Sequence, residues 1–267
     1  MLLPPITKKQ QHILILIYRF RFLNRIQLQT LLNHKDYHRI NIWLKDLYIK
    51  KYLGRIYEYK LGEINKPAIY YLKTNGITYL RGLDIEYGIK HSLLKRLARE
   101  HKKSQQFINH NIAIGQLYCL FLTYTRQSNR TLKVLTAMDM IDHTILGSLL
   151  PSAYVKVKDK HRKAKRYLIE IFKEGMPRFA IRYKINHCLH YYEEQMWQDT
   201  TSYPFPTILF VCPDDKRYEK DLYKLTRRLV DAKDIDVNEV NIIITTMDEV
   251  AAYGVDDLAC LRMEYEW

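Results

Sequence analysis

Apolar and polar positions near the start of the chain repeat with the period of α-helices. The segment TKKQQHILILIYRFRFL (7–23) predicts a first helix, which Thr7 can cap. The segment NRIQLQTLLN (24–33) predicts a second helix, with Asn24 as its cap. The apolar residues that we expect to pack in this second helix are Ile26, Leu28, Leu31 and Leu32.

A third segment, YHRINIWLKDLYIKKY, has the clearest amphipathic pattern. Ile40, Leu44 and Leu47 recur at i, i+4 and i+7, which predicts one buried stripe along a helix. The residues that fall off this stripe should face solvent, and they are Tyr37, His38, Arg39, Asn41 and Lys45.

Two strand-like runs follow Gly54. RIYEYK (55–60) and AIYYLK (68–73) are joined by LGEINKP, a turn with Gly62 and Pro67, and a further helix should begin near Thr74. Three helices followed by a two-stranded hairpin is the layout of a winged helix-turn-helix, in which the third helix enters the major groove of DNA.

The pattern changes in the second half, where buried strands alternate with helices. Strand-like runs lie near 132–140, 153–157, 167–172, 205–212 and 241–246, with helical segments between them. This alternation indicates an α/β or mixed α+β layer with helices on both faces. We therefore expect an α+β protein with a winged helix at 1–85, a basic linker helix at 86–103 and an α/β domain at 104–267.

The linker helix is predicted over GIKHSLLKRLAREHKKSQQ (88–106) and is basic and amphipathic. It could contact DNA, or it could form a dimer seam through Leu93, Leu94 and Leu97.

Composition narrows the class of protein. Hydrophobic residues make up 47% of the chain and charged residues 27%, which is ordinary for a folded protein and excludes wholesale disorder. The apolar run ILILIY (13–18) is too short to span a bilayer, so no membrane partner is expected. Four scattered cysteines without a C-x-x-C pair favour reduced thiols and a cytoplasmic location over a disulfide frame or a metal site.

The net charge of +14 is concentrated at one end of the chain. Residues 1–103 hold 21 Lys and Arg against 7 Asp and Glu, whereas residues 104–267 hold 22 of each. A basic segment beside a neutral one indicates a module that binds a polyanion, and double-stranded DNA fits the predicted fold.

The predicted third helix and hairpin carry the side chains that such binding needs. Arg39 and Asn41 can hydrogen-bond the edges of guanine and adenine, and Arg55, Lys60 and Lys66 on the wing suit phosphates. The full set of candidate DNA-binding residues is Lys35, Tyr37, His38, Arg39, Asn41, Lys45, Arg55, Lys60 and Lys66.

The order of four short segments resembles the replication-relaxation family of plasmids and mobile elements. These segments are NHNIAIGQLY, LLPSAYVKV, YLIEIFKEG with the helix at 184–192, and FPTILFVCPDDKRYEK. The resemblance implies a winged helix joined to a restriction-endonuclease-like domain, with a role in plasmid replication and DNA relaxation.

Two departures from the family's pattern concern catalysis. Its Pro-Asp pair is Pro151-Ser152 here, and its Glu-x-Asp is Glu170-Ile171-Phe172. Mg²⁺ prefers oxygen ligands, and residues i and i+2 of a strand face the same way, so Phe172 stands where a second carboxylate should be. We therefore expect a catalytically silent domain without a metal or other cofactor, in which Glu170 pairs with Lys184 or Arg182.

A metal-dependent nickase is the enzymatic alternative, and it would use Glu170, Gln116 and Lys173 with Mg²⁺. Lys173 should point to the opposite face if its strand continues.

A winged-helix transcriptional regulator is the other alternative. The expected partners are double-stranded DNA and either a second copy of the chain or a replication or relaxosome protein. The basic segment 156–166 could clamp a second stretch of phosphate backbone, or it could be a solvated turn.

Overall fold

The computed structural model describes residues 3–57, 66–83, 87–158, 164–236 and 239–254. The chain divides into two compact units, Met1–Cys119 and Leu120–Trp267. Among the described residues, no helix is both long and apolar enough to cross a membrane.

The first unit is mainly helical, with a small antiparallel sheet. In chain order its elements are α1 (Lys8–Phe20), β1 (Leu23–Asn24), α2 (Arg25–Leu31), α3 (Tyr37–Ile49), β2 (Leu53–Ile56), β3 (Ile69–Leu72), α4 (Thr74–Arg81), α5 (His91–Leu97), a 3-10 turn (Glu100–Lys102) and the first part of α6 (Gln105–Gln127). The described strands are ordered β1-β3-β2, and both pairs are antiparallel.

Side-chain caps set the starts of the first three helices. Thr7 accepts a hydrogen bond from the Gln10 backbone N–H, and the Gln10 side chain accepts one from the Thr7 backbone N–H. Asn24 caps α2 in the same reciprocal way, and the Asp36 carboxylate accepts from two backbone N–H groups of α3. The predicted caps Thr7 and Asn24 are therefore confirmed.

The apolar stripe of α3 is buried as expected, since Ile40, Leu44 and Leu47 are fully shielded. In α2, Leu28 and Leu31 are also buried. Ile26 was predicted to pack, but this is wrong, because 50% of its surface is exposed. The α2 segment has only 7 helical residues, so its packing face is narrower than the apolar positions implied.

The linker region departs from the prediction. The helix predicted over 88–106 is the short α5 and a 3-10 turn, and Leu93, Leu94 and Leu97 are buried within the unit. These leucines therefore cannot form a dimer seam on an exposed surface.

The unit boundary also falls later than residue 104, because the first part of α6 packs against the first unit. Gln27 Nε2 donates to the carbonyl oxygen of Ile112 at 2.8 Å. A Cβ on Gly115 would lie 2.8 Å from Leu23 Cδ2, so the helix approaches the chain closely there.

The second unit is built on a larger sheet. Its elements are the rest of α6, β4 (Thr131–Thr136), α7 (Ala137–Met140), β5 (Ala153–Lys158), β6 (Lys165–Ile171), α8 (Arg178–Glu193), α9 (Met196–Thr200), β7 (Thr207–Cys212), α10 (Lys216–Asp231), β8 (Ile242–Thr246) and α11 (Met247–Tyr253). The described strands are ordered β4-β5-β6-β7-β8; the first three are antiparallel, and β6, β7 and β8 are parallel.

One apolar core lies between this sheet and its crossover helices. Leu168, Phe172 and Phe210 are buried there with side chains of α8 and α10. The rings of Phe172 and Phe210 lie 5.3 Å apart in an edge-to-face arrangement. The α+β class is therefore confirmed. Each strand predicted in the second half is present, but the one predicted over 132–140 ends at Thr136, and residues 137–140 form α7. Cys119, Cys188 and Cys212 are buried free thiols, whereas Cys260 lies outside the described residues.

Candidate nucleic-acid interface and the buried Glu170 cluster

One side of α3 is open to solvent, and we call it the α3 face. It carries two cations, an amide and a histidine among apolar and aromatic side chains. Its members are Tyr37, His38, Arg39, Asn41, Ile42, Lys45, Tyr48 and Ile49, all exposed. Every α3 residue predicted to face outward therefore does so, and Lys35, just before the helix, is exposed as well.

An arginine lies over a tyrosine ring at the amino end of α3. The Arg25 guanidinium carbon is 5.5 Å from the ring centroid of Tyr37, and the rings of Tyr37 and His38 are 3.8 Å apart. Asp36 caps this end, and the backbone N–H of Arg39 is the main cause of its lowered pKa. The first turn of the helix is thus fixed beside exposed basic and aromatic groups.

A second arginine–tyrosine pair lies at the carboxyl end. The Arg55 guanidinium carbon is 4.2 Å from the ring centroid of Tyr48 and 5.1 Å from that of Tyr57. Arg55 is exposed on β2, so the rings hold its guanidinium without burying it. Lys66 is exposed shortly before β3, and Lys60 lies outside the described residues.

We did not predict from the sequence three members of the α3 face, Ile42, Tyr48 and Ile49, or the neighbouring Arg25. Tyr48 could have been found, because Asn41, Lys45 and Tyr48 fall at i, i+4 and i+7 and so share one side of the helix. Arg25 belongs to α2, and no periodicity relates it to α3.

Glu170 is the centre of a closed cluster in the second unit. Glu170 is 5% exposed, and its carboxylate accepts a hydrogen bond from Ser152 Oγ at 2.7 Å. Lys184 Nζ donates to the same oxygen, Oε2. Ser152 Oγ in turn accepts from the Ile171 backbone N–H at 3.4 Å. We call Glu170, Ser152 and Lys184 the Glu170 cluster; of the two expected ion-pair partners, Lys184 is the one that binds.

Lys173 lies nearer this cluster than its strand position suggested. The strand β6 ends at Ile171, so the condition for Lys173 to face away is not met. Burial, followed by the charge of Lys184, lowers the pKa of Lys173 to about 8. Its carbonyl oxygen accepts a hydrogen bond from Tyr218 Oη at 3.2 Å.

The residues around Glu170 fit a divalent cation poorly. Oε2 already accepts from Ser152 and Lys184, and Phe172 is part of the apolar core. Gln116, the other proposed ligand, is exposed on α6 in the first unit. Within the described ranges, no group of three or more His, Cys, Asp or Glu side chains could hold a metal ion.

Other carboxylates gather where the parallel strands end. Asp214 follows β7, and a hydrogen bond shared with Asp248 raises its pKa. Glu249 Oε2 accepts from Thr245 Oγ1 at 2.8 Å and from the Thr246 backbone N–H at 3.1 Å, and the second bond belongs to the capping box of α11. The sequence did not reveal this group, because its members come from separate segments.

These features define a class: an α+β protein in which a basic unit with an exposed helix face is joined to a sheet unit with an internally paired carboxylate. The family model for replication-relaxation matches residues 14–203, and the chain belongs to that family. Membership confirms the resemblance and indicates a role in replication or relaxation. No curated protein and no solved structure matches the chain significantly.

Proposed function

We propose that the first unit binds double-stranded DNA through the α3 face, and that the chain acts in replication or relaxation of a plasmid or mobile element as a non-catalytic DNA-binding factor. The observation that carries this proposal is the α3 face itself. The apolar stripe of α3 is buried, the cations and the amide of the α3 face are exposed, and an arginine–tyrosine pair lies at each end of the helix.

The order of elements in the first unit supports this proposal. Helix α1, the short strand β1, helices α2 and α3 and the antiparallel pair β2 and β3 follow the layout of a winged helix-turn-helix. In that arrangement α3 is the recognition helix. Arg39 and Asn41 would then contact base edges, while Lys35, Lys45 and Arg55 would contact phosphates.

The aromatic contacts add preorganisation. An arginine that is stacked on a ring keeps its N–H groups available and loses less freedom when it binds a phosphate. Arg25 and Arg55 are held in this way at the two ends of α3. Phosphate contacts at both ends of α3, with base contacts from Arg39 and Asn41 in its first turns, fit a helix lying along a groove.

The charge distribution supports DNA as the partner. The segment 1–103 carries the whole net charge of +14, which favours long-range attraction to a polyanion. The proposal places the protein in the cytoplasm. The second unit, with its internally paired Glu170, serves in this proposal as a platform for a second copy of the chain or for a replication or relaxosome protein.

A titration of a labelled duplex tests the interface. Arg39→Ala should weaken binding by about 1–3 kcal/mol and relax sequence preference, because a base contact is lost. Lys45→Ala should weaken binding to all sequences and reduce the salt slope by about one. Arg81→Ala is the matched control, since Arg81 is an exposed cation of α4. Equal affinities for all four proteins would refute the assignment.

A further inference from the structure

Strand register in the second unit aligns three cations across the sheet. Lys133 of β4 lies opposite Lys156 of β5, and Lys156 lies opposite Arg166 of β6. Directly opposed residues project from the same face, and neighbouring strands are about 4.8 Å apart. We call these three residues the cation row. Lys158 continues it, because it lies two residues beyond Lys156 on the same face.

This arrangement is unfavourable for the isolated sheet. Like charges that lie directly opposite on neighbouring strands repel each other. No acidic side chain pairs with a member of the cation row in the described ranges, which stop at Lys158 and resume at residue 164. Segment 104–267 has equal numbers of acidic and basic residues, so the row is a local feature rather than a general excess.

A tyrosine from a separate loop organises the row. The Arg166 guanidinium carbon lies 3.6 Å from the ring centroid of Tyr203, and Lys156 Nζ lies 6.0 Å from it. Arg166 Nη1 also donates to the Ala164 carbonyl oxygen at 3.1 Å, and the guanidinium hydrogen-bonds the Tyr154 side chain, so its orientation is fixed. A guanidinium has five N–H donors, and those that these contacts do not use can bind a ligand at its edge. The row therefore presents oriented donors as well as charge.

The loop that carries Tyr203 is itself fixed. Trp197 is buried, and its Nε1–H is shared between the carbonyl oxygens of Tyr203 at 3.1 Å and Pro204 at 3.0 Å. Tyr203 remains 53% exposed. A rigid exposed ring beside repelling cations is typical of a binding surface rather than of a solvated turn.

We propose that the cation row and Tyr203 form a second contact surface for the phosphate backbone of DNA, on the second unit. This inference rests on the proposed function for the nature of the ligand and extends it to a new surface. Evenly spaced phosphates offset the repulsion along a row of evenly spaced cations, and each contact releases counterions from the DNA. An acidic protein segment is the competing occupant.

The test compares two charge-matched triple variants of the full chain. Lys133→Gln, Lys156→Gln and Arg166→Gln together remove the row; Lys216→Gln, Arg217→Gln and Arg227→Gln remove three exposed cations of α10. Binding to a random-sequence duplex is measured from low to high salt. The row variant should lower the slope of log K against log salt by about 2–3, and the α10 variant by less than about one.

Two further readouts separate binding from folding. The row variant should keep the circular dichroism spectrum and the cooperative melting of the wild type at the temperature of the binding assay, because lost repulsion offsets the lost contacts of Arg166; an unfolded variant would assign the row a structural role and overturn the proposal. Tyr203→Phe should keep the salt slope, whereas Tyr203→Ala should lower it by about one, since Arg166 is no longer held.

The remaining outcomes distinguish this inference from the proposed function. If Arg39→Ala and Lys45→Ala weaken binding but the row variant keeps the full slope, the row is excluded and the α3 face stands. The reverse result retains the row and refutes the α3 face. Row-dependent binding of poly-L-glutamate without a change in the DNA slope would assign the row to an acidic protein. A wild-type chain that binds no DNA would overturn both proposals.

Discussion

At the scale of single residues, the first unit contains a buried ion pair that is only partly satisfied. Arg21 Nη2 lies 3.2 Å from Glu100 Oε1, and both side chains are largely shielded from solvent. Arg21 Nε and Glu100 Oε2 have no hydrogen-bond partner among the described residues. Burial lowers the pKa of Arg21 and raises that of Glu100, and each effect is opposed by the partner's charge. Removing one partner should therefore destabilise the fold strongly, whereas the intact ion pair contributes little net stability.

Glu100→Ala should lower the free energy of unfolding by about 3 kcal/mol, because it leaves the Arg21 guanidinium buried and unpaired. The double variant Arg21→Met with Glu100→Leu should recover most of that loss. Urea denaturation measures both, with the exposed Glu174→Ala as control, expected within about 0.5 kcal/mol of the wild type. A Glu100→Ala protein as stable as the control would contradict this account.

Lys173 gives a pH-dependent prediction. Its pKa is lowered to about 8 in the folded protein, so the charged form is penalised relative to the unfolded chain. The penalty is complete below pH 8 and disappears as the pH rises past the ordinary lysine pKa of about 10.4. Lys173→Met should therefore stabilise the protein at pH 7, on the order of 1 kcal/mol after allowance for solvent screening. The melting temperature of Lys173→Met should exceed that of the wild type by less at pH 10 than at pH 7. A difference that stays constant or grows would contradict a lowered pKa of Lys173.

At the scale of helices and strands, periodicity predicted most of the fold. The stripe Ile40, Leu44 and Leu47 identified α3 and its exposed side, because helical spacing alone decides which residues share a face. Strand β1 was not predicted, since two residues show no alternation. The length of α5 was overestimated, because the basic residues after Leu97 extend the apparent amphipathic helical pattern.

The candidate sites differ in how far the sequence could reveal them. The α3 face follows from one helix and was predicted, apart from Ile42, Tyr48 and Ile49. The Glu170–Lys184 pair was one of two alternatives, and only the position of α8 decides between them. The cation row depends on the register of three strands, which no local pattern specifies.

The packing of α4 gives a prediction for this scale. A Cβ on Gly76 would lie 2.4 Å from the carbonyl oxygen of Tyr52, which is backbone and cannot move aside cheaply. Gly76→Ala should therefore destabilise the first unit by about 1–3 kcal/mol, although alanine is the better helix former. In Gly82→Ala, at the end of the same helix, the new Cβ would make an ordinary contact at 3.4 Å, and stability should change little. Chemical denaturation measures the free energy of unfolding of both variants. A Gly76→Ala protein more stable than the wild type would show that α4 is not packed tightly against Tyr52.

At the scale of the whole molecule, the two units differ in charge. The basic segment 1–103 contains the α3 face, whereas segment 104–267 has no net charge and contains the Glu170 cluster. The order of the family segments along the chain was enough to indicate the family. The chemistry of the second unit required the structure, because a carboxylate and its partners come from β6, α8 and the residue before β5.

Supercoiled plasmid incubated with the full protein and Mg²⁺ or Mn²⁺ should remain supercoiled. Glu170 Oε2 is already engaged, and a phenylalanine stands where a second carboxylate ligand is needed. Agarose gels of wild type, Glu170→Ala and the exposed control Glu174→Ala provide the measurement. Nicking by the wild type and the control that is lost in Glu170→Ala would establish the nickase alternative.

The continuation of α6 across the unit boundary has a practical consequence for dissecting the protein. A fragment ending at residue 103 would lack Ile108, which shares a small apolar cluster with Phe22 and Ile69, and would leave the Gln27 amide without its acceptor. Such a truncation would aggregate or melt early for reasons unrelated to its affinity for any ligand. An autonomous DNA-binding fragment should instead retain α6 to Cys119, where the first unit ends, because the next turns carry the buried Phe121 and Thr125 of the second unit.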